Sequence, residues 1–241
     1  MIKLQRIEKP SYLTDKKVKE LTDKFKSTGR SVWNHNQIKI PLSTSSYHKC
    51  AYCETDLADP ATYMEVEHFI PKSKDPDLVV NWQNLLPSCK RCNGTKSDDD
   101  IIAKPIINPF DHEPKEELYF DVFCIFGKTE LGINSVEILN LNDEKLFLKR
   151  CQVAGAARNE LNKMYGEFSL STKLNGHNRN RFRAVLLAAQ PDRPYSAFVA
   201  TIVHTTQQYE QIKSRLINDE LWTRELTELH ETSLNLVLPQ S

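Results

Sequence analysis

Two Cys-x-x-Cys pairs constrain this chain more than any other feature of its sequence. They are Cys50-Ala-Tyr-Cys53 and Cys89-Lys-Arg-Cys92, with residues 54–88 between them. Each pair offers two thiolates at a spacing that suits one tetrahedral Zn²⁺, and two pairs complete a four-sulfur site. Disulfides, redox pairs and unrelated buried thiols are the competing readings. The chain opens Met-Ile-Lys-Leu-Gln-Arg, with no apolar export segment, which predicts a cytoplasmic protein. Thiols stay reduced there, so grouped cysteines read as metal ligands. A closed four-cysteine site leaves no open coordination position, which makes this zinc structural rather than catalytic. The insert is longer than the ~15–20 residues of a simple zinc ribbon, so something else must fold between the pairs.

The insert carries the chemistry. Residues 63–73 read Tyr-Met-Glu-Val-Glu-His-Phe-Ile-Pro-Lys-Ser, and residues 81–88 read Asn-Trp-Gln-Asn-Leu-Leu-Pro-Ser. Residues 66–70 are strand-like, with the neighbours Glu67 and His68 on opposite faces unless a bend or twist turns both toward one phosphate. Oxygen ligands at Glu67 and Asn93 suit a hard, hydrated cation such as Mg²⁺ or Mn²⁺. A neutral imidazole at His68 suits removal of a proton from water. Glu65 shares a face with Glu67 and is expected to support the site from behind or to face solvent.

These residues resemble a known family. Glu67-His68, Asn84 and Cys92-Asn93-x-x-Lys96 are similar to the HNH (ββα-metal) nucleases, and the flanking cysteine pairs match their four-cysteine branch. The resemblance implies that Glu67 and Asn93 bind the catalytic cation and that His68 is the general base. Asn84 would hold the His68 loop, and Lys96 would face phosphate. The last His of the family's name is here Asn93, a variant that keeps an oxygen ligand. A longer resemblance runs through Val32-Trp33, residues 48–54, residues 66–73, residues 82–86 and Leu139-Asn-Leu-Asn142. It points to the PtuB nucleases of Septu-type and retron-associated anti-phage systems. It implies a DNA substrate and an ABC-type, SMC-like ATPase partner, PtuA. In the retron setting it adds a reverse transcriptase and its msDNA.

The rest of the sequence bounds these readings. Over 241 residues, 32 basic side chains meet 32 acidic ones, which excludes a protein that holds nucleic acid by bulk charge. The balance hides blocks: residues 1–49 carry 11 basic and 4 acidic side chains, and residues 50–121 carry 7 and 15. Mean hydropathy of -0.52 and the absence of an apolar run near ~18–20 residues exclude a membrane-spanning helix.

Thr14 caps an amphipathic helix on which Val18, Leu21 and Phe25 recur, and Gly29 ends it. Residues 31–33 and 38–42 read as connectors or a short helix, limited by Pro41. Residues 118–125 and 135–139 have strand composition, with a hairpin turn between Gly127 and Gly132. Helices are expected from Asn142 onward, near 146–161, 180–189, 196–219 and 220–237. The basic helix at 16–26 reads as a solvated face or a partner contact. Arg179, Arg181 and Arg183 beside Phe182 are the stronger candidates for nucleic-acid contact. Cys124 and Cys151 read as buried apolar thiols. His35, His48, His112, His177, His204 and His230 lack chemical company.

The expected fold is therefore α+β. A basic helical segment spans residues 1–47, a zinc-bound ββα-metal core residues 48–104, and a mixed, then helical, lobe residues 105–241. The expected function is metal-dependent hydrolysis of DNA phosphodiesters by the effector of a defence complex. The alternatives are an autonomous restriction-type HNH nuclease and a non-catalytic zinc-ribbon module that binds nucleic acid or protein.

Overall fold

Local signals set the first elements. Thr14 Oγ1 accepts from Lys17 N at 3.2 Å and opens α1 (Asp15–Thr28), which Gly29 closes with φ of 65°. His35 Nδ1 caps α2 (Asn36–Thr44) by accepting from Gln37 N. Pro41 lies inside α2 and removes one helical hydrogen bond, but Ile38 and Leu42 are fully buried and hold that face on the core. These are the residues of a computed structural model, which describes residues 1–59 and 62–240.

The chain divides into two units. The first comprises residues 1, 3–118 and 126–141, and the second residues 2, 119–125 and 142–241. In the first unit, β1 (Met64–His68) pairs antiparallel with β2 (Leu85–Cys89), Met64 opposite Cys89 and His68 opposite Leu85. The chain runs from β2 straight into α3 (Lys90–Lys96). Strand, strand and helix form a ββα unit around the cysteine pairs. Its core joins Leu21 of α1, Ile38 and Leu42 of α2, Val66 of β1, Leu85 of β2, and Val79 and Trp82 of the loop between the strands.

The expected hairpin at 118–139 is corrected. Two strands, β3 (Leu118–Asp121) and β4 (Cys124–Gly127), turn at Val122 and Phe123, with φ of 41° and 66°. Residues 130–138, expected to include a strand, form α5 (Glu130–Ile138), following the short α4 (Pro114–Glu117). Thr129 Oγ1 caps α5 by accepting from Gly132 N at 3.2 Å, and that cap outweighs the strand-like composition. Gly132 serves close packing instead of a turn: a Cβ there would sit 2.0 Å from the Glu117 carbonyl oxygen.

The second unit holds α6 (Glu144–Leu170), α7 (Gly176–Ala188), α8 (Ser196–Thr205), α9 (Gln207–Asn218) and α10 (Arg224–Leu234). Leu161, Phe182, Leu186, Val203, Tyr209, Leu216 and Leu226 make one buried cluster among them. The single helix expected at 196–219 breaks at Thr206, which is extended. The Thr205 and Thr206 hydroxyls donate back to the carbonyls of Thr201 and Ile202, at 2.7 and 2.6 Å, and loosen the helix where α8's buried face gives way to the amphipathic α9. Among the described residues no helix is long and apolar enough to cross a membrane.

Asn142 and Arg150 anchor the segment that leads into α6. The Asn142 side chain accepts from Ile125 N at 2.9 Å and donates to Ile125 O at 2.7 Å. Arg150, almost completely buried, donates to Phe123 O and Asn142 Oδ1, both at 3.2 Å, and lies over the Phe198 ring. Replacing Asn142 by Ala strands the Ile125 backbone pair and takes one hydrogen-bond partner from the buried Arg150 guanidinium. We expect Asn142→Ala to lower stability by about 1–3 kcal/mol, read as a fall in urea midpoint at unchanged slope.

Candidate active site and metal centre

The four paired cysteines converge. Their sulfurs all lie within 4.8 Å of one another, and all four residues are buried. A tetrahedral ion with bonds of ~2.3 Å to sulfur sets its ligands ~3.8 Å apart. The Cys53 and Cys89 sulfurs are 3.7 Å apart, which fits. Burial pushes the Cys50 thiol well above its ordinary range, while hydrogen bonds from the neighbouring cysteines pull Cys53 well below it; a shared cation would favour the thiolate form of all four.

The surroundings are built for negative sulfur. Arg91 Nη2 donates to Cys92 Sγ at 3.0 Å, and Cys92 N points at Cys89 Sγ at 3.5 Å. Arg91 Nη1 also donates to the carbonyls of Leu139 and Asn140, tying the second pair to the end of α5. The first pair is tied to β2 by Ala51 N donating to Pro87 O at 2.9 Å.

Beside this centre a cleft of about 320 Å³ is lined by Glu67, His68 and Asn93, with Trp33, Lys39 and Lys72 on its walls. Although they are neighbours on β1, Glu67 and His68 both border this cleft. Both are nearly fully buried. His68 Nε2–H donates to Val79 O at 2.9 Å. A carbonyl only accepts, so the proton is on Nε2 and Nδ1 keeps a free lone pair. The Trp33 ring meets the His68 ring edge-on with centroids 4.6 Å apart. Burial pushes the His68 pKa down to about 4, so the ring is neutral near pH 7.

Burial pushes the Glu67 carboxyl up to about 7, despite Lys96 beside it. Lys96 Nζ lies 2.7 Å from Glu67 Oε1, off the direction of a hydrogen bond, so that buried oxygen has a charge partner but no directed donor. An anionic oxygen of this kind is what a bound cation satisfies. On α3, Asn93 Nδ2 donates to Glu65 Oε2 at 2.5 Å, which fixes the amide and leaves its Oδ1 as the atom for a ligand.

Asn84 stitches the loop that follows His68. It accepts from Ile70 N at 2.7 Å and donates to Ile70 O at 3.0 Å and to Leu78 O at 3.3 Å. Arg6 braces the same turn by donating to the carbonyls of Trp82, at 2.8 Å, and Leu85, at 2.7 Å.

Several expected side chains stand elsewhere. Lys96 is fully buried, held by Glu67 and by the His68 carbonyl at 3.1 Å, so it does not present a charge to the cleft as expected. The arginine cluster is corrected in part, since the Arg179 side chain bonds only to the neighbouring Asn180 side chain among the described residues. Arg181 is paired with Glu160 and Glu167, Arg183 with Glu225, and Phe182 is completely buried in the helical core. Cys124 and Cys151 are half-buried rather than buried, and neither joins the sulfur cluster. His48 is exposed and bonded to Ser43. His204 and His230 belong to a polar network with Ser233, Tyr209 and Lys213.

Glu65, expected to support the site from behind or to face solvent, does the first through Asn93; the Trp33–His68 contact and the Arg6 brace had no sequence signal beyond residue type. Each depends on which loops the fold brings together.

Residues 50–99 match the HNH endonuclease family. Over 233 residues the chain is 38% identical to the Septu protein PtuB of Bacillus thuringiensis, covering 93% of this chain and 90% of that protein. The chain belongs to the PtuB family. A second member, the Septu protein PtuB of Bacillus mycoides (strain KBAB4), is 28% identical over 202 residues, 64% of this chain and 67% of that one. The ββα unit with its buried Glu67-His68 pair is thus the endonuclease part of a PtuB-family chain.

The four-sulfur centre yields a direct test. Cys92→Ser should lower bound metal from one ion per chain to well below that, measured by elemental analysis. Because site formation and folding are coupled, the same variant should melt at a lower temperature.

Proposed function

We propose that this chain hydrolyses DNA phosphodiester bonds as the nuclease of a Septu-type anti-phage system, in complex with a PtuA-like ATPase. The observation that carries the reading is the state of His68. Its Nε2–H is spent on Val79 O, which leaves Nδ1 as the nitrogen able to accept a proton, and His68 lines a cleft together with Glu67 and Asn93. A buried, neutral, oriented imidazole beside an under-coordinated carboxylate is an arrangement for taking a proton from water.

Zn²⁺ is the proposed ion at Cys50, Cys53, Cys89 and Cys92, where four thiolates favour it and leave no position for substrate. Mg²⁺ or Mn²⁺ is proposed at Glu67 and Asn93. Such a cation, when bound, supplies neutralisation of charge on the scissile phosphate and on the leaving oxygen. The protein's own groups do the rest. His68 accepts the water proton at Nδ1. Val79 O and the edge of Trp33 hold the ring in that orientation. Asn84 keeps the loop carrying Val79 in place, and Glu65 fixes the Asn93 amide. Lys96 offsets the charge of Glu67 from within the protein.

The zero net charge supports an effector that draws DNA affinity or control from a partner. Both named relatives are Septu proteins, which favours that setting over a retron with its reverse transcriptase and msDNA. An autonomous restriction-type nuclease would carry a reader element. A non-catalytic zinc module would have no need for a buried Glu67 and His68.

Plasmid cleavage with Mg²⁺, with and without the neighbouring ATPase, tests the proposal. Wild type should cut, and His68→Ala should lose roughly 10²–10⁴-fold in rate while retaining its zinc. Cleavage that needs the ATPase selects the effector over the autonomous enzyme. Equal inactivity of folded, zinc-loaded wild type and variant in every arm, RNA substrates included, would sink the nuclease role.

A second test isolates Glu65. Glu65→Ala should weaken Mn²⁺ dependence of cleavage by roughly 10–100-fold. Glu65→Gln, whose amide oxygen still accepts from Asn93, should recover most of it. No difference between the two would remove the positioning role.

A further inference from the structure

With Lys96 locked inside, the cleft needs a different cation to meet the phosphate that His68 and Glu67 are built around. The loop after β1 supplies one. Lys72 lines the cleft with Glu67, His68 and Asn93, and its Nζ rests 5.7 Å from the centroid of the Trp33 ring. That same ring packs on His68. Lysine and imidazole thus share one indole, with Lys72 over the Trp33 ring and His68 packed against it edge-on.

Lys72 also has its charge to spare. The next lysine, Lys74, is paired with Asp100 at 3.2 Å, and Lys26 of α1 is paired with Asp77. Among the described residues neither Lys72 nor Lys39, which lines the same cleft, is within ion-pair distance of a carboxylate. Of the carboxylates lining the cleft, Glu67 has Lys96 and Glu65 has Asn93, while Asp98 is not within ion-pair distance of Lys72 or Lys39. The half-buried Lys72 ammonium is held by the Trp33 face and keeps its charge available for an anion. A phosphate oxygen arriving in the cleft meets that charge, and the Trp33 face limits where the ammonium can go.

We propose that Lys72, seated on Trp33, is the phosphate-binding cation of the active cleft, with Lys39 contacting a neighbouring phosphate of the same strand. The assignment rests on the nuclease reading above and adds to it how the substrate backbone is gripped. A lysine on a phosphate acts as a point charge and reads no bases, so it holds any sequence equally.

The test uses the full chain. Binding of a fluorescein-labelled DNA oligonucleotide is followed by anisotropy over a salt series in the His68→Ala background, alone and combined with Lys72→Gln, Lys72→Arg or Lys39→Gln. Lys72→Gln should weaken binding roughly tenfold, to a similar extent for unrelated sequences. It should also reduce the slope of log affinity against log salt by about one. Lys72→Arg should restore both, and Lys39→Gln should give a smaller loss of the same kind. Cleavage assays of wild type and Lys72→Gln run alongside. If wild type cuts but Lys72→Gln matches its parent in affinity and salt slope, Lys72 is not the phosphate contact and the nuclease reading stands. If wild type neither cuts nor binds DNA in any arm, both fall together.

Discussion

The mutual approach of four sulfurs is the constraint on which the nuclease unit depends. Cys50 and Cys53 lie before β1, and Cys89 and Cys92 span the junction of β2 and α3. Their sulfurs nonetheless sit within 4.8 Å of one another. Like-charged thiolates cannot be gathered so closely in a buried pocket without an ion. Once gathered, they set the angle between β2 and α3, because Cys89 is at once the last strand residue, the helix cap and a ligand. That angle puts Asn93, one residue past the last ligand, on the wall of the cleft that β1 provides. The small hydrophobic cluster of this unit packs on β1, β2 and the loop between them.

The cleft itself is organised by buried charge. Glu67 and Lys96 are both almost inaccessible, and each is the other's ion-pair partner. Such a pair seldom stabilises more than an apolar substitute of the same volume would. Its presence here makes sense as preparation: Glu67 is kept in a low-dielectric site with one oxygen lacking a directed donor. His68 is held the same way, stripped of water, neutral, and fixed through Nε2. Trp33 packs edge-on against the ring, and Asn84 stitches the loop that follows His68. The site thus draws on residues from the segment between α1 and α2, the inter-strand loop and α3, which the four-cysteine cluster and the Arg6 brace tie to the ββα unit.

Much of this was legible in order along the chain. Paired cysteines, an acidic residue before a histidine, and an asparagine after the last cysteine carry fixed chemical meanings at short spacing. Caps are local too, so Thr14 and Gly29 marked α1 from sequence alone. The errors came where two local signals competed. Residues 135–139 have strand composition, but the Thr129 cap decided for a helix. Thr206 ended a helix because its own hydroxyl and that of Thr205 compete for backbone carbonyls. Side-chain direction was the other blind spot. Lys96 and the Arg179–Arg183 cluster looked available because lysine and arginine usually face solvent, yet one is a buried counter-charge and two of the others are paired across helices.

By itself, the sequence determined the ligands of a four-sulfur centre, the α+β character of the unit around them, and the residue types able to activate water. Those depend on spacing over a few residues and on the intrinsic chemistry of cysteine, histidine and carboxylate. Tertiary structure alone decided which nitrogen of His68 is free, which cation neutralises Glu67, and which remains exposed to the cleft. Each of those outcomes turns on contacts between segments far apart in the chain, where burial and the position of a single carbonyl or ring outweigh any preference written into the residue itself.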